Sequence, residues 1–145
     1  MSSAPSLISI IVIGRNTKKN LFNLLQSINK TQNHKYIKEI IYVDDASLDG
    51  SKTLFKDFVF PFEKIGVNLT TNKGRAFARQ KGAEAASGDW FLFLNSNVVV
   101  DSLIINAYIQ SIRLGRGVAY AGLVNYSSED LSFENYLNNN PRIFQ

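Results

Sequence analysis

The run Leu7-Ile8-Ser9-Ile10-Ile11-Val12-Ile13-Gly14 decides how the rest of the chain is read. Its residues are almost continuously apolar, mostly β-branched, and stop at a glycine, as in a strand buried on both faces. Immediately downstream, Leu21, Leu24, Leu25 and Ile28 recur at helical spacing and form one stripe. The same alternation then repeats. Glu39-Ile40-Ile41-Tyr42-Val43 reads as a second strand stopped by Asp44-Asp45, and Leu54, Phe55 and Phe58 mark a short helix with Ser51 as its N-cap. Residues 65–69 read as a weaker strand, 74–86 as an Ala-rich helix, and Trp90-Phe91-Leu92-Phe93-Leu94 as the most apolar strand. Ile104, Ala107, Tyr108 and Ile112 form a last helical stripe, and 118–124 a fifth strand. The expectation is an α/β fold: a mainly parallel sheet with helices on both faces and right-handed crossovers. It is read as one domain over 1–145, with its recognisable part at 7–124 and an irregular tail at 125–145.

Composition narrows the chemistry. With 45% hydrophobic and 19% charged residues in 145, the chain has the makings of a core, so wholesale disorder is excluded. No cysteine is present, which removes a disulfide framework, a thiolate zinc site and a Cys nucleophile. One histidine, His34, removes a multi-histidine metal cage. It sits in the polar stretch Thr31-Gln32-Asn33-His34-Lys35 without an orienting partner at catalytic spacing, and reads as a loop residue.

The net charge of +4 is unevenly spread: residues 1–82 hold 13 Lys/Arg against 6 Asp/Glu, and the remainder 3 against 6. Phosphate would be drawn to the basic first part. A nucleic-acid surface would need stacking aromatics interleaved with the cations, and only Phe77 lies in the basic helix start at 72–82, so nucleic acid is not an expected partner. The first apolar run is far shorter than the ~18 residues that span a bilayer. It also lacks the basic flank and cleavage site of a signal peptide, so no membrane span and a cytoplasmic location are expected.

In open parallel sheets the ligand sits beyond the carboxyl ends of the strands. Three polar clusters fall there: Gly14-Arg15-Asn16, Asp44-Asp45-Ala46-Ser47 and Asn95-Ser96-Asn97. Asp49 and Ser51 read as local turn and helix-start residues. For Asp44 and Asp45 a purely local role is less natural, because two adjacent acids repel where one would serve. Asn72-Lys73-Gly74-Arg75-Ala76-Phe77-Ala78-Arg79 places cations at a helix start, where Lys73, Arg75, Arg79 and free backbone N–H groups suit a diphosphate. Neither a Walker loop nor a dinucleotide Gly-x-Gly-x-x-Gly is present.

Four segments in register, Ile8 to Asn16, Val43-Asp44-Asp45-x-Ser47-x-Asp49-Gly50-Ser51, Asn72-x-Gly74 with Ala78-Arg79-x-x-Gly82, and Ala86-x-Gly88-Asp89-Trp90 through Asn97, closely resemble the nucleotide-binding half of family 2 glycosyltransferases of the GT-A fold. The resemblance runs from about Leu7 to Val124. It implies that Ile13, Arg15 and Asn16 line a nucleoside pocket, and that Asp45 accepts the imide N–H of a uracil-like base. It further implies that Asp44 supports the ribose side, that Arg79 or Lys73 lies near the diphosphate, and that Ser96 belongs to the nucleotide site. Asn95-Ser96-Asn97 falls where the family has Asp-x-Asp, which holds Mn²⁺ or Mg²⁺.

Two departures follow. Amides at Asn95 and Asn97 are weaker ligands for a hard dication than carboxylates. Asp101 lies four residues on but reads as the N-cap of the next helix. In the family an acceptor-binding half carrying the general base follows, and nothing after Val124 resembles it. Glu129, Asp130 and Glu134 there read as solvated surface, and no catalytic residue is assigned. The expected function is binding of a nucleotide diphosphate-sugar, a uridine one, for inverting transfer to an acceptor hydroxyl on a sugar or lipid-linked molecule. The alternative is a non-catalytic binder, or a subunit needing a partner chain or a second copy through its tail.

Overall fold

The computed structural model describes residues 5–115, 117 and 119–122. Four strands, β1 (Ile8–Gly14), β2 (Ile37–Asp44), β3 (Glu63–Asn68) and β4 (Trp90–Asn95), form one parallel sheet in the order β3-β2-β1-β4. The helices between and after them are α1 (Lys18–Asn29), α2 (Ser51–Asp57), α3 (Arg75–Ala85) and α4 (Ile104–Leu114). A short 3₁₀ turn, His34–Tyr36, leads into β2. The α/β alternation expected from the apolar periodicity is therefore present.

The alternation of side chains along β1 sorts the core into two layers. Ile8, Ile10 and Val12 face Leu21, Leu24, Leu25 and Ile28 of α1, Phe55 of α2, and Ile105 and Ile109 of α4. Ile11 and Ile13 face the other way, with Ile41, Val43 and Ala78 of α3. Among the described residues, three helices thus cover one face and one covers the other. In register, Ile11 pairs with Phe93 and Ser9 with Phe91, so both phenylalanines lie on the α3 face of β4. There they remain 43–45% exposed among the described residues.

Small residues let α3 lie close. A Cβ on Gly82 would run into Ile11 Cγ2, with Val43 Cγ2 only 3.2 Å away. At the amino ends of the strands, buried Glu39 binds the hydroxyl of Ser9, the Ser87 hydroxyl (2.5 Å) and the Ser87 N–H (3.0 Å). Burial works to raise this carboxyl, but the hydrogen bonds from Ser87 and Ser9 outweigh it and hold it below its ordinary range.

Two local expectations change. The N-cap of α2 is Gly50, at φ 87°, rather than Ser51. Asp49 does the capping from one residue earlier, its Oδ1 accepting the Ser51 N–H at 3.0 Å and hydroxyl at 2.5 Å. Its Oδ2 accepts the Lys18 N–H at 2.8 Å, so one carboxylate serves the starts of both α1 and α2. The expected strand at 118–124 is not formed by its described residues, 119–122. Its other positions and the tail at 125–145, with Glu129, Asp130 and Glu134, lie outside the described residues.

Candidate functional site

The chain leaves β1 toward β2 on one side and returns to β4 on the other, so the strand order reverses at the carboxyl end of β1. A crevice at such a reversal is where parallel sheets bind ligands. A cavity of about 360 Å³ opens there, walled by Ile13 to Arg15 of β1 and its loop, Asn95 to Asn97 of β4, and Asp45 beyond β2. Thr17 and Asn20 at the start of α1, and Arg75 and Ala78 of α3, complete it.

The floor explains why β1 ends in glycine. The Ser96 N–H donates to the Ile13 carbonyl at 3.0 Å, and the Ser96 and Thr17 hydroxyls pair at 2.6 Å. A Cβ on Gly14 would sit 2.6 Å from Ser96 Oγ and 2.9 Å from Thr17 Oγ1. Ser96 is consequently buried, its hydroxyl committed to Thr17, while the flanking amides of Asn95 and Asn97 are exposed. Asn16 takes a left-handed conformation (φ 51°), which asparagine tolerates. Its N–H donates to Ser47 Oγ at 2.9 Å and its Oδ1 accepts the Leu48 N–H at 2.7 Å. Asn16 thereby braces the loop after β2 instead of walling the cavity.

The two adjacent acids separate. Asp44 is fully buried and turned inward, accepting the Tyr42 hydroxyl at 3.0 Å and the Ser47 N–H at 2.8 Å. Burial, and then the Asp44 charge, push the Tyr42 phenol far above its usual value, so it stays a donor. The ribose-side role expected of Asp44 is not supplied by this geometry, because its carboxylate is enclosed by its own loop. Asp45 lines the cavity, and its two oxygens accept the N–H groups of Lys73 (2.7 Å) and Gly74 (2.9 Å). Each oxygen takes one donor there and keeps a lone pair for another.

On the opposite side Arg79 donates to Asn95 Oδ1 at 3.1 Å, and Arg75 lines the cavity. Lys73 is exposed and enters the site through its backbone N–H; its side chain is not among the cavity's walls. Asp101 accepts the Leu103 N–H at 2.8 Å just ahead of α4, whose N-cap is Leu103 rather than the expected Asp101. Thr17 and Asn20 are the walls that sequence reading passed over. Their signal was their place on the first turn after a site-forming strand, one helical turn apart.

The residues present do not fit a divalent cation. The amide oxygens at 95 and 97 are neutral, and that of Asn95 already faces a guanidinium. Among the described residues no cluster of three His, Asp or Glu side chains comes together.

Comparison with known proteins is consistent in direction. The chain is 32% identical over 133 residues to the glycosyltransferase GlyG of Streptococcus pneumoniae, covering 90% of this chain and 44% of that protein. The structure of TarS 1–349 of Staphylococcus aureus in complex with UDP-GlcNAc matches with a TM-score of 0.70 at 22% identity, over 82% of this chain and 37% of that one. The mannosyltransferase PcManGT of Pyrobaculum calidifontis, in complex with GDP-Man and Mn²⁺, matches with a TM-score of 0.68 at 16% identity, over 80% and 34%. These likenesses show the GT-A fold, and the chain spans less than half the length of each. The model of glycosyl transferase family 2 matches residues 9–144. The chain belongs to glycosyl transferase family 2.

Proposed function

We propose that this domain binds a uridine diphosphate-sugar in the cavity beyond β1 and β4, for transfer of the sugar to an acceptor hydroxyl. The observation that carries this is the polarity across the cavity. Asp45 follows β2 and Asn95, with Arg79 on it, ends β4, on opposite flanks of β1. Two strand spacings amount to ~9–10 Å, suited to a base at one end and a diphosphate at the other. The free lone pairs of Asp45 would accept the N3–H of uracil, where cytosine presents an acceptor and would be repelled. Arg75, Arg79 and Arg15 would meet the diphosphate, and stabilising that leaving group is the largest service such a site offers to glycosyl transfer. In the transfer the bond from the anomeric carbon to phosphate breaks, the acceptor oxygen takes that carbon, and its proton passes to a base that no residue here is assigned to. TarS, a structure of the same fold bound to UDP-GlcNAc, supports the uridine reading.

The test is a thermal-shift panel of UDP, CDP and GDP, since a ligand of the native state raises its melting temperature. UDP is expected to give the largest shift. Equal shifts for UDP and CDP refute the assignment of Asp45.

The amides at 95 and 97 favour a second reading, a non-catalytic nucleotide-sugar binder acting with a partner chain or a second copy. Sugar-nucleotide hydrolysis or transfer by the purified chain excludes it.

A further inference from the structure

We infer that this site holds the diphosphate without a divalent cation, and that Arg79, positioned by Asn95, takes the cation's place. The inference rests on the nucleotide reading above and concerns what neutralises the phosphates.

A residue at 95 well suited to a hard dication would offer an anionic oxygen. Here it offers a neutral amide oxygen, and the Arg79 guanidinium donates to it at 3.1 Å. A dication on the same oxygen would sit beside a fixed positive charge, with no carboxylate at 97 to offset it. Among the described residues Asp45 is the one acid walling the cavity, and it is turned to the Lys73 and Gly74 N–H groups on the far side of β1. Against that one carboxylate stand Arg15 and Arg75 in the wall and Arg79 beside it. The surplus is already positive and matches a diphosphate; a further two charges would overshoot it.

Arginine is suited to the role. Its planar fork presents paired donors to phosphate oxygens, and it stays charged at any working pH. With Asn95 holding one N–H, the remaining donors of Arg79 are left for the ligand. Asn95 is thus a positioning residue rather than a degraded metal ligand.

The experiment is titration calorimetry of UDP and, separately, of inorganic pyrophosphate into the 145-residue chain, each in EDTA and in Mn²⁺. Pyrophosphate reports on the phosphate end alone, so it separates this inference from the uridine reading. The expected result is that both ligands bind in EDTA and that neither binds more tightly in Mn²⁺, which complexes the diphosphate in solution. Arg79→Gln should weaken both by about 10- to 100-fold in either condition, the loss of a charge-assisted hydrogen bond. Asn95→Asp with Asn97→Asp in the Arg79→Gln background should make binding Mn²⁺-dependent. Circular dichroism confirms that each variant is folded, and Arg79→Lys, retaining the charge but not the fork, should recover part of the loss. Pyrophosphate binding in EDTA without UDP binding would uphold this inference and overturn the uridine reading. Binding of either ligand about tenfold tighter in Mn²⁺, or binding indifferent to Arg79→Gln, overturns the inference. Failure of both ligands to bind in any condition overturns it together with the nucleotide reading.

Discussion

The carboxylate of Asp45 accepts the backbone N–H of Gly74 at 2.9 Å, joining the end of β2 to the start of α3 across 29 residues of chain. Gly74 stands at φ 87°, outside the range other residues adopt without strain, and its N–H reaches the acid from that conformation. With the Lys73 N–H on the other oxygen, the aspartate organises the wall that brings Arg75 to the cavity.

Asp45→Ala should therefore have two separable effects. Loss of two hydrogen bonds to a carboxylate should destabilise the fold by about 2–4 kcal/mol in urea unfolding. The preference for UDP over CDP should vanish in the thermal-shift panel. A variant that loses stability but keeps the preference would show that another group reads the base.

Tyr42→Phe tests the enclosed acid. Removing the hydroxyl leaves the buried Asp44 carboxylate with the Ser47 N–H but without its Tyr42 donor, at a cost of about 1–3 kcal/mol. Nucleotide affinity should be unchanged, since Asp44 does not reach the cavity. A tenfold loss of UDP affinity in a folded Tyr42→Phe protein would return Asp44 to the binding site.

Glu39 sets an acid limb on stability. Its folded-state carboxyl is held below its ordinary value, so its contribution is complete above the unfolded-state value near 4.5 and fades as pH falls through the lower folded value. Glu39→Gln should cost about 1–3 kcal/mol at pH 7 and flatten that limb. Denaturant unfolding of both proteins from pH 7 to pH 3 measures it, and parallel curves would remove Glu39 as the cause.

Gly82→Ala opposes two effects of known size. Alanine in a helix interior gains about 1 kcal/mol of propensity over glycine. Its Cβ would here meet Ile11 Cγ2, and overpacking a core costs about 1–3 kcal/mol. The net change in urea unfolding should be destabilising. A more stable variant would mean that α3 shifts away from the sheet without penalty.

The sequence by itself determined the order of strands and helices, the two-faced core, and the meeting of three polar clusters at one sheet edge. Apolar periodicity is a local property, and in a parallel α/β sheet every strand's carboxyl end falls on the same side. What each polar side chain does at that edge was decided only by tertiary structure. Asp44 and Asp45 are neighbours in sequence, yet one turns into its own loop toward Tyr42 and Ser47, and the other reaches 28 and 29 residues ahead to Lys73 and Gly74. Asn95, read as a weak metal ligand, accepts Arg79 from another element, and Ser96, read as part of the nucleotide site, lines the cavity with its hydroxyl paired to Thr17, 79 residues earlier. The reason is physical: a polar group at a strand end points to whichever partner satisfies it on burial, and those partners come from loops brought together only when the sheet has formed.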